Sequence, residues 1–385
     1  MAVVLPYVDD REFVLERFLD IVHVKNTSVL SLKDAIVNLL SQNSLSLSYV
    51  HGQSYDGASN MQGDINGFKM LINNESKLAY SIHCFAHQLQ LTLIGVSKRC
   101  LQVELVHLVS DIFNMLGSSY KCMDEYTESQ KTKIQEAFDT RWASHFKYFN
   151  YFIHKFDKII DKLDNIVETA HSLNERSRAK GYIRAAQTCE IEFILHLMKE
   201  ILGITNDLST CLQNKEQDIA NVMLRIDVAK RRLQELREDN KWDFFVSEVS
   251  TFCIKHNIVV PTFDELYVNS ERSWRKSVDY TVFHHYRVEV FCKIIDWQLQ
   301  ELNDHFDELT TEFLHGVSCL SPVDSFSSFD IQKIMRMTEL YPDDFDELNM
   351  CALKNQLANN IIDVCDIDKR FSNINRLCDL SKRLI

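Results

Sequence analysis

Proline and glycine are both scarce in this 385-residue chain. There are four prolines, at 6, 261, 322 and 342, and nine glycines. Proline removes a backbone donor and clashes inside a helix. Its absence from residue 7 to residue 260 therefore leaves that span free to form long helices. No uncharged apolar run approaches the ~18 residues that would mark a bilayer-crossing helix, so no membrane is expected as a partner. No secretory leader is expected, since Asp9 and Asp10 interrupt the first apolar run. Basic clusters are lacking too. The formal charge is −13, which opposes a broad electrostatic grip on DNA. Lys230-Arg231-Arg232 is too short for a nuclear-import run. The eleven cysteines follow no framework spacing, and without a leader they read as reduced thiols of a cytoplasmic or nuclear protein. No P-loop, dinucleotide fingerprint or Ser-His-Asp order occurs: GASNMQG and GDING lack both the spacing and the strand–helix context. Kinase, hydrolase and dehydrogenase readings have no support, and no small-molecule substrate is expected.

What is there is ordinary globular material. Apolar residues make up 45% and charged residues 25%, with length enough for two domains. MAVVLPYV and FVLERFLDIVHV, separated by a polar turn, read as a strand hairpin. SLKDAIVNLLSQNS reads as a helix with Ser31 as N-cap. LSLSYVHGQS reads as a strand ending near Ser54, residues 58–74 as a helix, LAYSIHC as a strand and FAHQLQLTLIGVSK as a helix. Beyond about residue 101 apolar residues recur at three- and four-residue spacing almost throughout, with loops expected at 171–181, 255–281 and 316–328. The expected organisation is α/β over residues 1–100 and a mostly helical domain over 101–385.

Few residues carry candidate chemistry. Asp56 lies at the expected end of a strand and the mouth of a glycine-containing turn, where Asp-Gly is also common turn chemistry. Cys84 and His87 form a C-x-x-H pair at a strand-to-helix junction. Zinc would need two further ligands, and Cys100 and Cys122 are too isolated to supply them. Arg141-Trp142 reads as a helix start anchored by an aromatic. The strongest basic strip, residues 225–237, reads as a solvated helix face with charges paired at i,i+4. His284, His285, Trp242 and Trp297 fall on apolar helical patterns and read as core.

SYDGASNM, HCFAHQLQL and DTRWASHF, in that order, resemble the catalytic region of hAT-superfamily transposases. QNKEQDIANVM, HHYRVEVFCKIIDWQLQELNDHF and FDIQKIMRMTELYPDDF extend the resemblance along essentially the whole chain, toward the plant zinc finger MYM-type protein 1-like subgroup. The resemblance implies a ribonuclease-H-like core interrupted by a large helical insertion. It also implies a site where three carboxylates hold two divalent metal ions, which clamp the attacking and leaving oxygens of a phosphodiester. Asp56 then occupies the second carboxylate position, with Cys84 and His87 as the nearby C-x-x-H motif. Arg141 and Trp142 become the R-W motif, whose aromatic face suits stacking on an unpaired base. The first and third carboxylates of the pattern find no counterpart, so the chain reads as shortened at both ends and catalytically incomplete. No cofactor is expected; Mg²⁺ or Mn²⁺ would enter only with a full carboxylate set. The resemblance points to a nuclear place and to DNA, a protein partner or a second copy as partners. A core without its first strand is expected to expose a sheet edge and apolar surface.

Overall fold

The amino-terminal β-branched and aromatic residues form two strands, as their patterning predicts. In the computed structural model, β1 (Ala2–Val8) and β2 (Val14–Ile21) pair antiparallel from Ala2↔Ile21 to Val8↔Val14, with an irregularity between Val3 and Val4. Described residues are 1–9, 13–55, 67–85, 87–89, 91–92, 102–118, 142–212, 219–268, 280–306, 315–371, 374 and 377–384. Within β1 only Val3 is buried. Val4, Val8, Phe18 and Ile21 lie exposed, so much of the hairpin's apolar surface faces solvent.

The expected helix follows as α1 (Val29–Gln42), but its N-cap is Ser28, not Ser31. The Ser28 hydroxyl accepts from the Ser31 N–H, so the helix begins one turn earlier than the apolar periodicity suggests. The single strand expected over residues 45–54 divides. Ser46 accepts from the Ser48 N–H and starts a 3₁₀ turn at Leu47–Tyr49, leaving β3 only Gly52–Tyr55. Serine offers the backbone a local partner that competes with strand pairing. Next come α2 (Phe68–Glu75) and β4 (Tyr80–His83). β4 pairs parallel with β3 in the register Gly52↔Tyr80 to Tyr55↔His83. Helical residues resume at Phe85. Among the described residues the two strand pairs are separate two-stranded sheets.

The rest is mostly helical, as the spacing of apolar residues predicts. The helices are α3 (Gln102–Ser118), α4 (Trp142–His154), α5 (Phe156–Thr169), α6 (Leu173–Ala186), α7 (Cys189–Leu212), α8 (Ile219–Leu236) and α9 (Asp239–Lys255). They continue with α10 (282–305), wound as a π-helix through His285–Cys292. Short α11 (Val323–Phe326) precedes α12 (Ile331–Thr338), α13 (Glu347–Ile362) and α14 (Leu377–Leu384). The loop expected at 171–181 is instead the first half of α6. Ser172 caps it by accepting from the Glu175 N–H, and its buried face is built from Ala179 and Ala186 rather than large apolar residues. Small buried positions leave little periodic signal. Small sheets joined to a large helical remainder are compatible with a partial ribonuclease-like core followed by a helical region.

The chain forms two compact units. One gathers residues 1–88, 212–224 and 306–385; the other gathers 89–211 and 225–305. Residues 306–385 cluster with the α/β segment. In the first unit, Leu32, Phe68, Ile72 and Ala79 form a core against which Val50 and Tyr55 pack. In the second, Phe193 of α7 meets Phe245 of α9 edge-on at 5.0 Å and Tyr286 of α10 at 4.7 Å. Trp242 stacks edge-on against Phe291 at 5.1 Å under the Arg287 guanidinium. Trp242 and His285 are buried as expected, whereas His284 and Trp297 are half-buried.

One glycine is required by close approach. A Cβ on Gly316 would stand 2.8 Å from the Cβ of Met337 and 3.3 Å from the Lys333 carbonyl on α12. Overpacking of this kind costs about 1–3 kcal/mol. Gly316→Ala is therefore expected to lower the urea midpoint without changing the slope, and an unchanged midpoint would mean that this helix approach is looser than described.

Candidate functional site

The parallel strand pair supplies the site's geometry. Because β3 and β4 run the same way, their carboxyl ends coincide at Tyr55 and His83. Clefts at the carboxyl ends of parallel strands are where α/β proteins place ligands. Here the Cys84 N–H donates to the Tyr55 carbonyl at 3.0 Å, extending the register by one residue. The Gln88 N–H donates back to the Cys84 carbonyl at 2.9 Å, so Cys84 also opens the following helix. Cys84 is exposed and His87 half-buried.

Side chains beneath this edge hold it. Gln53 Nε2 donates to two carbonyls, Ala79 at 2.7 Å and Lys69 at 3.1 Å, tying β3 to α2 and to the approach of β4. Tyr55 donates its hydroxyl to Gln53 Oε1 at 2.7 Å and packs edge-on against Phe68 at 5.1 Å. Burial pushes the Tyr55 phenol well above its ordinary range, so it remains a donor. Ser76 donates to the Val50 carbonyl at 2.9 Å, and Lys33 pairs with Glu75 at 2.6 Å across α1 and α2. The far end of the strands is held by the carboxyl-terminal segment. Tyr80 donates to the Leu340 carbonyl at 3.0 Å, and His51 faces Asp344 at 3.2 Å.

The sequence-derived candidates divide accordingly. Asp56 lies outside the described residues; β3 ends at Tyr55, the residue before it. Cys84 and His87 flank the same strand end. Arg141 also lies outside the described residues, and Trp142 opens α4. Magnesium requires a set of hard oxygen ligands. The donors described at this edge, a thiol and an imidazole, suit softer metals and do not fit it. Among the described residues no group of three or more His, Cys, Asp or Glu side chains is arranged to hold a metal ion.

Residues 1–67 match the family described as DUF4371: ZMYM1/FAM200, RNase-like domain. The match supports a transposase-derived, RNase-like family for this segment. It spans β1, β2, α1 and β3 and includes Asp56. No solved structure matches the chain. No helix among the described residues is long and apolar enough to cross a membrane.

Two arginines of the basic strip 225–237 face acidic residues from elsewhere in the helical unit. Arg232 faces Asp207 at 3.6 Å, and Arg237 pairs with Asp296 at 3.0 Å. Partial burial lowers the Lys230 pKa, with Asp227 acting in opposition. Phosphates would have to compete with these carboxylates.

A second polar cluster lies in the helical unit and has no counterpart among the sequence-derived candidates. Glu192 on α7 is fully buried, and neither carboxylate oxygen has a hydrogen-bond partner among the described residues. Burial raises its pKa well above the ordinary 4.5, and charge on Cys189 acts in the same direction. His196, one turn on, donates Nδ1 to the Glu192 carbonyl at 2.8 Å, and burial lowers its pKa. The 3.9 Å approach of His196 to the Glu192 carboxyl is thus a contact between neutral groups rather than an ion pair. The available signal was a glutamate and a histidine four apart inside the apolar run EIEFILHLM.

Glu192 makes stability depend on pH. The unfolded carboxyl ionises near 4.5 while the folded one keeps its proton, so the folded state binds more protons and loses stability as pH rises from that point. Glu192→Gln cannot ionise. Urea unfolding of the two proteins is expected to match near pH 4 and to diverge upward, with the variant the more stable at pH 7. Parallel pH curves would show that the carboxyl is solvated.

Proposed function

We propose that this chain is a transposase-derived, hAT-like protein that has lost strand cleavage and acts by binding other macromolecules. The observation that carries the reading is the RNase-like match over residues 1–67, which covers β3, ending at Tyr55, and includes Asp56. The C-x-x-H pair beside the same strand end supports it. SYDGASNM, HCFAHQLQL and DTRWASHF favour the plant zinc finger MYM-type protein 1-like subgroup and a nuclear place.

Within this reading a lone Asp56 would hold Mg²⁺ or Mn²⁺ poorly, because two-metal chemistry needs several carboxylates around both ions. The net charge of −13 and the paired arginines of α8 leave DNA contact weak and local, at Arg141 and Trp142. The exposed apolar side chains of the β1–β2 hairpin favour a protein partner or a second copy. A second reading, an active transposase whose other carboxylates lie outside these 385 residues, is favoured by the inclusion of Asp56 in the RNase-like match.

Incubation of the protein with hairpin and single-stranded DNA and either metal is expected to leave the DNA intact. A metal-dependent nick, lost in Asp56→Ala, would support the second reading. In titrations across salt, log affinity against log salt is expected to fall with a slope no steeper than about −3, reflecting few phosphate contacts. Trp142→Ala is expected to weaken that binding. Absence of measurable DNA binding would leave a protein scaffold.

A further inference from the structure

We propose that the groove between α12 and α13, in the first unit, docks a basic amphipathic helix of a protein partner. The inference rests on the reading of this chain as a binding protein, and it uses residues other than those of the β1–β2 hairpin. Helix α13 runs for 16 residues, and none of them is buried. Helices in proteins owe most of their stability to the packing of an apolar face. Here Leu348 is left 82% exposed. An open groove of about 470 Å³ lies along the helix, with Met335, Pro342, Phe345, Met350 and Cys351 as its apolar lining. Met335 and Met350 supply flexible, polarizable surface that can re-pack around a partner's side chains. Thr338 Oγ1 stands 2.9 Å from the Met350 sulfur and ties α12 to α13 at the base of the groove.

Shape, backbone and charge together choose the occupant. The α13 residues of the lining, at 347, 350, 351 and 354, fall on one stripe of the helix, and Leu348 borders it three residues before Cys351. At 1.5 Å per residue the stripe spans about 10 Å, room for roughly two turns of a second helix with apolar anchors one turn apart. Along α12 and α13 the backbone groups are engaged in their own helices, so no strand edge is offered. An extended peptide would find no main-chain partners there, whereas a helix satisfies its own. The charge is of one sign. Residues 337–353 contain five carboxylates and no lysine or arginine. Asp344 already faces His51 at 3.2 Å, and Asp346 caps α13. Glu339 and Glu347 remain on the groove wall, with Lys354 at the far end of the stripe. Lysines or arginines beside the partner's anchors complement those two glutamates, and phosphates would be repelled by them.

The test is fluorescence anisotropy of labelled peptides titrated with the full-length protein. The probe is a helix-forming peptide with leucines on one face and lysines on the other. One control scrambles its order, and another carries glutamate in place of lysine. Saturable binding of the probe is expected, with both controls about tenfold weaker or more. Cys351→Trp fills the groove and is expected to weaken the probe by about tenfold. Glu339→Lys combined with Glu347→Lys is expected to weaken the probe and to strengthen the acidic control. All three side chains are exposed, so the fold is expected to persist, which circular dichroism checks. Equal binding of the scrambled peptide would overturn the proposal, because the net charge of −13 would then account for it. Binding that none of these substitutions changes would also overturn it. A dimer in sedimentation that Cys351→Trp separates would do so too, in favour of a second copy as occupant. Absence of probe binding with DNA left intact would sink the groove alone, and a metal-dependent nick with groove binding retained would count only against the loss of cleavage.

Discussion

The parallel pairing of Gly52–Tyr55 with Tyr80–His83 is the constraint on which the candidate site depends. Parallel neighbours cannot be joined by a tight turn, so the chain must cross over between them. Phe68 and Ile72 of α2 bury the crossover against Leu32 of α1, and Gln53 bonds to a carbonyl on either side of it. Removal of the Gln53 amide would leave two carbonyls without that partner at the centre of a four-residue pairing. Because the register holds, Tyr55 and His83 end together, and the Cys84 amide closes onto the Tyr55 carbonyl. The juxtaposition of the C-x-x-H motif with the chain leading into Asp56 is thus a consequence of strand direction. It does not depend on any contact between their side chains.

The helical unit follows a different rule. Its order comes from aromatic contacts between distant helices, with Phe193, Trp242 and Tyr286 linking α7, α9 and α10. Such an interior tolerates a buried acid only in its neutral form, since ionisation in an apolar setting without partners is strongly disfavoured. Glu192 meets that condition, and the pKa of its neighbour Cys189 is shifted the other way, downward, against burial.

Residues whose burial is periodic were legible from the sequence: the hairpin, α1, β4 and the long helices after residue 101 all follow apolar spacing. What escaped had a local cause. Ser46 and Ser28 moved element boundaries through side-chain bonds that apolar spacing does not register. Helix α6 was hidden because it buries alanines, although Ser172 and Glu175 marked its start. At the site, apolar patterning placed Cys84 and His87 at a strand-to-helix junction, but the Gln53 bridge required knowledge of which carbonyls lie beside it.

The proposed loss of strand cleavage requires that Asp56 hold no metal ion at a stoichiometric site. Electron paramagnetic resonance of Mn²⁺ titrated into the full-length protein reads the free ion directly. The account predicts that the free-ion signal rises alike for the protein and for Asp56→Ala, apart from weak binding to the acidic surface that both share. Saturable binding at a stoichiometric site in the unaltered protein, abolished in Asp56→Ala, would contradict it and make Asp56 a metal ligand.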